Sequence, residues 1–315
     1  MQRGMPAGLL LRLGAPLAAA ALLAVPATAA LAPDASFAGQ GWAPLRVNAA
    51  AAWATASPAQ APVTIAVVDT GVDVSSPELA GKLVTGYDTA DGSTPTSDAE
   101  WHGTAVASIA GGASRGEDRI TSYCLQCNVM SVKALDAKGE GSDAAIARGI
   151  RWAVDHGARV VNLSLSGAAQ APSLRAAITY AVRRGVVVVA AAGNDGTATR
   201  AFPAADPLVI GVAATDPTDR VYPWSNRGRW VTVAAPGVNT SAVPGGGVFS
   251  FMGTSSAAAL VSGVVGMCLT ASPTLTPALV RRAVVEGAAP VAAASFGRID
   301  AARTVALCRT YAAAQ

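Results

Sequence analysis

The sequence predicts an α/β domain of three layers, a mostly parallel central sheet with helices on both faces. Three observations carry this. Short runs of apolar, largely β-branched residues recur at 63–68, 129–135, 159–165 and 186–191, as strands buried on both faces require. Segments of helical length lie between most of them, and such alternation builds parallel sheets through right-handed crossovers. Gly and Pro are frequent, 32 and 19 in 315 residues, which suits many tight connections rather than a helical bundle.

Taken in order, residues 30–62 are rich in Ala and Pro and are expected to wrap the surface as an N-terminal extension, with a short helix near 47–54. The main domain spans 63–315 and opens with the strand 63–68. A helix is expected over 103–110, a strand over 129–135, a helix over 142–156 and a strand over 159–165. The helix 173–184 is closed by Gly185 and followed by the strand 186–191. Strands at 209–214 and 230–235 complete the sheet, and the last third is helical at 254–270, 277–286 and 300–311. No repeat, charge block or long linker interrupts the chain after Pro62, so one domain accounts for it.

Composition narrows the classes. A hydrophobic share of 51% with 14% charged residues allows a sizeable dry core, and a net charge of +3 gives no argument for nucleic acid. Residues 1–29 read as an export signal: Arg3 and Arg12 supply charge, 15–24 is almost wholly apolar, and Ala27-Thr28-Ala29 fits a signal-peptidase site. The apolar run is shorter than the ~20 residues that span a bilayer. The expected location is therefore the cell exterior or periplasm, with no membrane attachment after cleavage. The apolar stretch 257–269 is likewise too short to span and reads as a buried helix.

Four cysteines, Cys124, Cys127, Cys268 and Cys308, suggest two disulfides in an exported chain. Three pairings are open, and closure of Cys124 on Cys127 with a link from Cys268 to Cys308 is preferred. The Cys124-Leu125-Gln126-Cys127 run leads into a strand rather than opening a helix, which argues against a redox motif. A zinc site would need a second close pair of ligands.

The chain has only two histidines. His156 ends a predicted helix, where a cation or a solvated side chain is the ordinary reading. His102 opens a helix of small residues; alone it would more often be structural. Asp69 ends the buried strand 63–68, at the crevice side of such a sheet. A partly shielded carboxylate there suits orienting a histidine, and Asp73 is the rival, given a turn role. Ser255 precedes the apolar helix, where unpaired amides can bind a developing oxyanion. Asn194, after the strand 186–191, offers a side-chain amide to the same end.

The segments Val67-Val68-Asp69-Thr70-Gly71, His102-Gly103-Thr104-Ala105-Val106-Ala107, Ala191-Ala192-Gly193-Asn194-Asp195-Gly196 and Gly253-Thr254-Ser255-Ser256-Ala257 resemble the signatures of subtilases, in that family's order. The Asp, His, Ser order is the one known for subtilisin itself, so it is matched here rather than deduced. The likeness runs from about Asp34 to the C-terminus. It implies a subtilisin-like fold and a secreted serine endopeptidase with Asp69 as orienter, His102 as general base then acid, and Ser255 as nucleophile. Asn194 would share the oxyanion hole with the Ser255 amide. Ser164, Leu165, Ser166 and Gly167 match the edge that pairs with substrate backbone. Ala190, Ala191, Ala192 and Gly193, with Ala201, Phe202 and Pro203, match the region around the specificity pocket. The uncharged walls imply apolar or aromatic residues before the cut.

Polypeptide substrates, a monomer and no required cofactor also follow from the likeness. Glu78 and Gln40 resemble calcium-binding positions of some relatives, while the loop 111–123 does not match; the likeness allows calcium without requiring it. Ala105 stands where a second His is common, and Ala259 where a Pro is usual. About thirty residues separate the signal from the first catalytic strand, where many relatives carry a longer inhibitory prodomain. A non-catalytic peptide-binding relative is the competing reading. A dinucleotide enzyme is not supported, because no Gly-x-Gly-x-x-Gly follows the first strand.

Overall fold

A computed structural model describes residues 10–12, 41–55, 62–94, 96–98, 100–113 and 122–315. In chain order its elements are β1 (Leu10–Arg12), α1 (Trp42–Arg46), α2 (Ala49–Thr55), β2 (Thr64–Asp69), β3 (Leu83–Asp88), α3 (His102–Gly111), β4 (Asn128–Lys133) and β5 (Glu140–Ser142). Then come α4 (Asp143–Asp155), β6 (Ala158–Leu163), α5 (Pro172–Arg183), β7 (Val187–Ala191), β8 (Ile210–Thr215) and β9 (Val233–Pro236). The chain ends with β10 (Val238–Ala242), β11 (Val248–Met252), α6 (Thr254–Ala271), α7 (Pro277–Gly287) and α8 (Ala301–Ala313).

Seven strands form the central sheet in the order β3-β4-β2-β6-β7-β8-β9, and every neighbouring pair is parallel. Alternating side chains of a strand feed opposite cores, as the two-residue period of a strand requires. Ile65 and Val67 pack with α3 and α6 on one side, whereas Ala66 and Val68 pack with α4 and α5 on the other. Both faces are therefore covered, which is why these strands read as unbroken apolar runs. Each fully buried Val or Ile contributes roughly 1.5–3 kcal/mol relative to exposure.

The helix α6 is long and apolar enough by composition to cross a membrane, yet it is enclosed by the fold. Residues 254–270 are all buried, and their small side chains let α6 lie close against both the sheet and α3. The stretch expected as a buried helix is one, and it runs a turn further than its apolar core.

Several boundaries move for identifiable reasons. The strand expected over 159–165 leaves the ladder after Leu163, because Ser164 is bonded to Ser255 instead: its carbonyl accepts from the Ser255 hydroxyl at 3.1 Å. The strand expected from Trp230 starts at Val233, because the Trp230 indole donates to Ala198 O at 3.0 Å and Val231 N closes a turn on Gly228 O. The short helix expected near 47–54 is α2, and a further helix, α1, precedes it, the two separated at Asn48 with φ 55°. Ala49 and Ala52 of α2 are buried, where the helix packs on α8. Gln40 and most of the expected signal lie outside the described residues. Within that signal, Leu10–Arg12 forms an antiparallel strand on β5, Leu11 opposite Gly141.

The sulfur atoms of Cys124 and Cys127 stand 2.02 Å apart, and those of Cys268 and Cys308 1.89 Å apart. Both are the preferred pairs.

Candidate active site

Asp69 is the last residue of β2, the strand between β4 and β6 at the middle of the sheet. His102 is the first residue of α3 and Ser255 the second of α6. All lie toward the carboxyl ends of parallel strands, the place where such sheets carry their sites.

The β2 end and the α3 start are brought together by two glycines. A Cβ at Gly103 would lie 2.0 Å from Gly71 O, and one at Gly71 would lie 2.4 Å from Ser97 O. Only bare backbone allows that approach. Asp98 then ties the two loops: one carboxylate oxygen accepts from the Thr70 hydroxyl at 2.9 Å, the other from Thr104 N at 2.8 Å and from its hydroxyl at 2.6 Å. Thr70 Oγ1 accepts from Gly103 N at 3.0 Å, and Glu100 from His102 N at 2.9 Å. The first-turn amides of α3, orphans by helix geometry, are thus satisfied by the loop that carries the site.

His102 Nδ1 donates to Asp69 Oδ1 at 2.8 Å. A carboxylate only accepts, so Nδ1 carries the proton and neutral His102 keeps a lone pair on Nε2. Both residues are buried. Asp69 Oδ1 also accepts from Thr70 N at 2.8 Å, while its Oδ2 has no partner among the described residues. Burial disfavours the imidazolium, but attraction and hydrogen bonding to Asp69, with smaller contributions from Glu100 and Asp98, outweigh it and raise the His102 pKa. Half-buried Glu100 is itself raised, chiefly by loss of water.

Aromatic rings close over the histidine. Phe251 of β11 meets His102 edge to face at 5.3 Å between centroids, and Trp101 does so at 5.7 Å. Trp101 also packs edge to face on Phe249 at 5.1 Å and on Phe251 at 5.5 Å.

Ser255 is buried beside Ser164. Its hydroxyl donates to Ser164 O, and the Ser164 hydroxyl donates to Ser255 O, each at 3.1 Å. Beneath them Asn162 Nδ2 donates to Ser164 Oγ at 2.8 Å and the Ser262 hydroxyl donates to Asn162 Oδ1 at 2.8 Å. A buried polar network thereby fixes the start of α6.

Asn194 accepts through Oδ1 from Thr254 N at 3.0 Å and from the Thr254 hydroxyl at 2.9 Å. Gly253 has φ +148° and no Cβ; the place of a Cβ is 3.6 Å from Asn194 Nδ2 and 3.7 Å from Ser255 N, with no other heavy atom within 4 Å apart from its chain neighbours. Two donors therefore border one open space next to the serine.

Gly167 and Phe202 exchange backbone hydrogen bonds, N to O at 2.8 Å in both directions. This joins the two segments likened to a substrate edge and a pocket wall, and uses both backbone groups of Gly167. Ser164 and Leu165 are buried, as are Ala190, Ala191 and Ala192; Gly193 is buried, and Ser166 and Phe202 are partly exposed. Asp73 serves turns, accepting from Ser75 N at 2.9 Å and from Gly245 N at 2.8 Å. His156 caps α4 and stacks on Trp152 at 3.9 Å.

Glu78 accepts from the Ser76 hydroxyl at 3.2 Å. Among the described residues no group of three or more His, Cys, Asp or Glu is placed to hold a metal ion. Gln40 and residues 114–121 lie outside the described residues, and no chemistry below runs through a metal.

Sequence reading missed Thr70, Asp98, Glu100, Trp101, Phe249, Phe251 and the hydroxyl of Thr254. One signal was available: acidic residues just ahead of a helix start are capping candidates.

The sequence model of the subtilase family matches residues 60–303. This chain belongs to the subtilase family. It is 42% identical over 204 residues to a thermophilic serine proteinase of Bacillus sp. strain AK1, covering 64% of this chain and 51% of that protein. It is 38% identical over 235 residues to thermitase of Thermoactinomyces vulgaris, covering 74% and 84%. Halolysin of Haloferax mediterranei is 38% identical over 279 residues, covering 85% of this chain and 53% of halolysin. The matched part thus spans about half the length of the Bacillus and Haloferax relatives. A solved cold-adapted subtilisin-like serine proteinase superposes with a TM-score of 0.69 at 31% identity, covering 76% of this subtilase and 88% of that chain.

Proposed function

We propose that this subtilase is a secreted serine endopeptidase whose chemistry is carried by Asp69, His102, Ser255 and Asn194. The supporting observation is the buried Asp69–His102 pair at 2.8 Å, set at the strand ends that also receive the start of the Ser255 helix. Neutral His102, protonated on Nδ1, takes the Ser255 proton on Nε2 as Oγ attacks the scissile carbonyl. This requires the hydroxyl to rotate away from Ser164 O. The carbonyl oxygen becomes anionic between Asn194 Nδ2 and Ser255 N. His102 then returns the proton to the leaving amine as the C–N bond breaks, and water, deprotonated by the same imidazole, hydrolyses the ester.

Substrate lies extended along Ser164 to Ser166, just beyond the carboxyl end of β6, with an apolar or aromatic side chain placed among Ala190, Ala191, Ala192 and Ala201. The β5 edge supports an extended-chain ligand, because Leu10–Arg12 is added to it as an antiparallel strand, the mode called β-augmentation. Removal of residues 1–29 as a signal opens that edge to substrate. In this reading residues 30–62 wrap the catalytic domain 63–315, the two cysteine pairs are oxidised after export, the enzyme is a monomer, and no cofactor takes part.

The Ser255 hydroxyl bond to Ser164 O favours one second reading, a peptide-binding relative that holds chains without cutting them. A Ser255→Ala variant separates the two. The endopeptidase reading expects wild type to cleave unfolded casein and the variant, equally folded by circular dichroism, to lose that activity. Equal activity in the two proteins removes the assigned nucleophile.

A further inference from the structure

One face of α5 bears a concavity of about 490 Å³, lined by Arg151 of α4 and by Arg175, Arg183, Tyr180, Pro172 and Ala176. The three arginines are exposed. None of them has a carboxylate within 4.0 Å among the described residues, where the ion pairs involve other side chains. No acidic residue lines the hollow. The nearby Asp155 is occupied by the Tyr180 hydroxyl, which donates to it. Arg151 lies over the Tyr180 ring at 5.0 Å and Arg184, outside the lining, at 5.8 Å, so the ring is held and the Arg151 guanidinium is positioned at the hollow.

Spacing narrows the ligand. Arg175 and Arg183 are eight residues apart on one helix, about 12 Å along its axis, with Arg151 at the level of Tyr180 between them. An extended peptide advances about 3.3 Å per residue and alternates its side chains. Acidic residues at positions i, i+2 and i+4 therefore span about 13 Å on one side and can meet the three guanidiniums in turn. The Pro172, Ala176 and Tyr180 surface suits peptide backbone and side-chain stems better than a bare inorganic chain. The hollow also begins near the groove: Pro172 is five residues from Gly167, a reach of at most about 18 Å.

We propose that this arginine-lined hollow is an exosite for an acidic segment of the polypeptide substrate, lying about six or more residues from the cut. It rests on the endopeptidase reading for its purpose, and its binding is measured without that reading.

The probe is a fluorescein-labelled Glu-Ser-Glu-Ser-Glu peptide, titrated against wild-type protein and an Arg175→Glu/Arg183→Glu variant by anisotropy at low and high salt. Wild type binds at low salt and weakens as salt screens the contact; charge reversal abolishes binding. In parallel, one scissile peptide is assayed with the acidic tail on a six-residue Gly/Ser spacer, at each end in turn, and with a neutral tail. One acidic tail lowers KM by about 5- to 10-fold with kcat unchanged, and the reversal removes only that gain. If the variant fails to fold, Arg175→Gln/Arg183→Gln replaces it. Absence of peptide binding at low salt, binding unaffected by the substitutions, or a KM change shared by the neutral-tail peptide overturns the exosite. Tighter binding of inorganic polyphosphate with no tail effect on KM overturns the peptide as its ligand. If no peptide is hydrolysed at all, the endopeptidase reading fails while anisotropy still decides the hollow.

Discussion

Thr254 grips Asn194 by its carbonyl oxygen, through the backbone N–H at 3.0 Å and the hydroxyl at 2.9 Å. With Oδ1 held from one side, Nδ2 is left 3.6 Å from the empty Cβ position of Gly253. The same hydroxyl accepts from Gly193 N at 3.1 Å, so one side chain holds both Gly193 and Asn194.

Thr254→Val keeps the shape and removes the hydroxyl. It is expected to lower kcat by about 2- to 10-fold, the scale of one neutral hydrogen bond, with KM little changed because the lost orientation matters in the transition state. Thr254→Ser restores the rate. Asn194→Ala should cost about 100- to 1000-fold in kcat, a scale known for subtilisin rather than derived from this structure. Steady-state kinetics on one chromogenic peptide checks all three.

Gly253→Ala puts a methyl group into the space bordered by Asn194 Nδ2 and Ser255 N. Its φ of +148° is also one that side-chain-bearing residues rarely adopt. Loss of stability of about 1–3 kcal/mol and a fall in kcat of at least about tenfold are expected. Urea unfolding and kinetics on the same preparation separate the two effects.

The pH profile follows from the sign of the His102 shift. Its raised pKa places the rising limb of kcat/KM above the ordinary histidine value of about 6.5. Glu100→Gln keeps an acceptor for His102 N and removes one negative charge, so the limb moves to lower pH. The same shift makes the His102 contribution to stability fully present below its unfolded value and lost as pH rises through the folded one. A limb that stays in place in Glu100→Gln would show that the charge of Glu100 does not reach the imidazole.

Cys268 and Cys308 lie 40 residues apart in sequence and tie α6 to α8. Cys268→Ser/Cys308→Ser should lose roughly 2–4 kcal/mol, because closing a long loop restricts the unfolded chain most. The Cys124–Cys127 pair encloses only three steps and should matter less. Guanidinium unfolding of the two double variants gives the ranking.

What could be read in advance follows the physics of each segment. The strand ending in Asp69 and the helix that carries Ser255 as its second residue were legible because burial on all sides forces unbroken apolar runs. The hairpin of β10 and β11 was not: Val238-Asn239-Thr240-Ser241-Ala242 is mostly polar, and its Asn239 is buried by bonds to the Ser256 hydroxyl and Pro236 O. Without the hairpin, Phe249 and Phe251 could not be placed against His102. The edge strand β3 was also missed, since Leu83-Val84-Thr85-Gly86-Tyr87-Asp88 carries a glycine and only a weak apolar signal. Asp98 and Glu100 sit in a polar loop, and their role depends on Thr70 and the α3 amides, contacts that no local pattern reveals. Asp69, His102, Asn194 and Ser255 were singled out by motif; the hydrogen bonds around them come only from the structure.

The proposed endopeptidase requires a Ser255 hydroxyl activated by the His102 imidazole. Labelling folded wild-type protein with a fluorophosphonate, followed by peptide mapping by mass spectrometry, tests it most directly. One adduct is expected, on Ser255, and it is lost in His102→Ala. Folded protein that takes up no label, or takes it on another residue, contradicts the account.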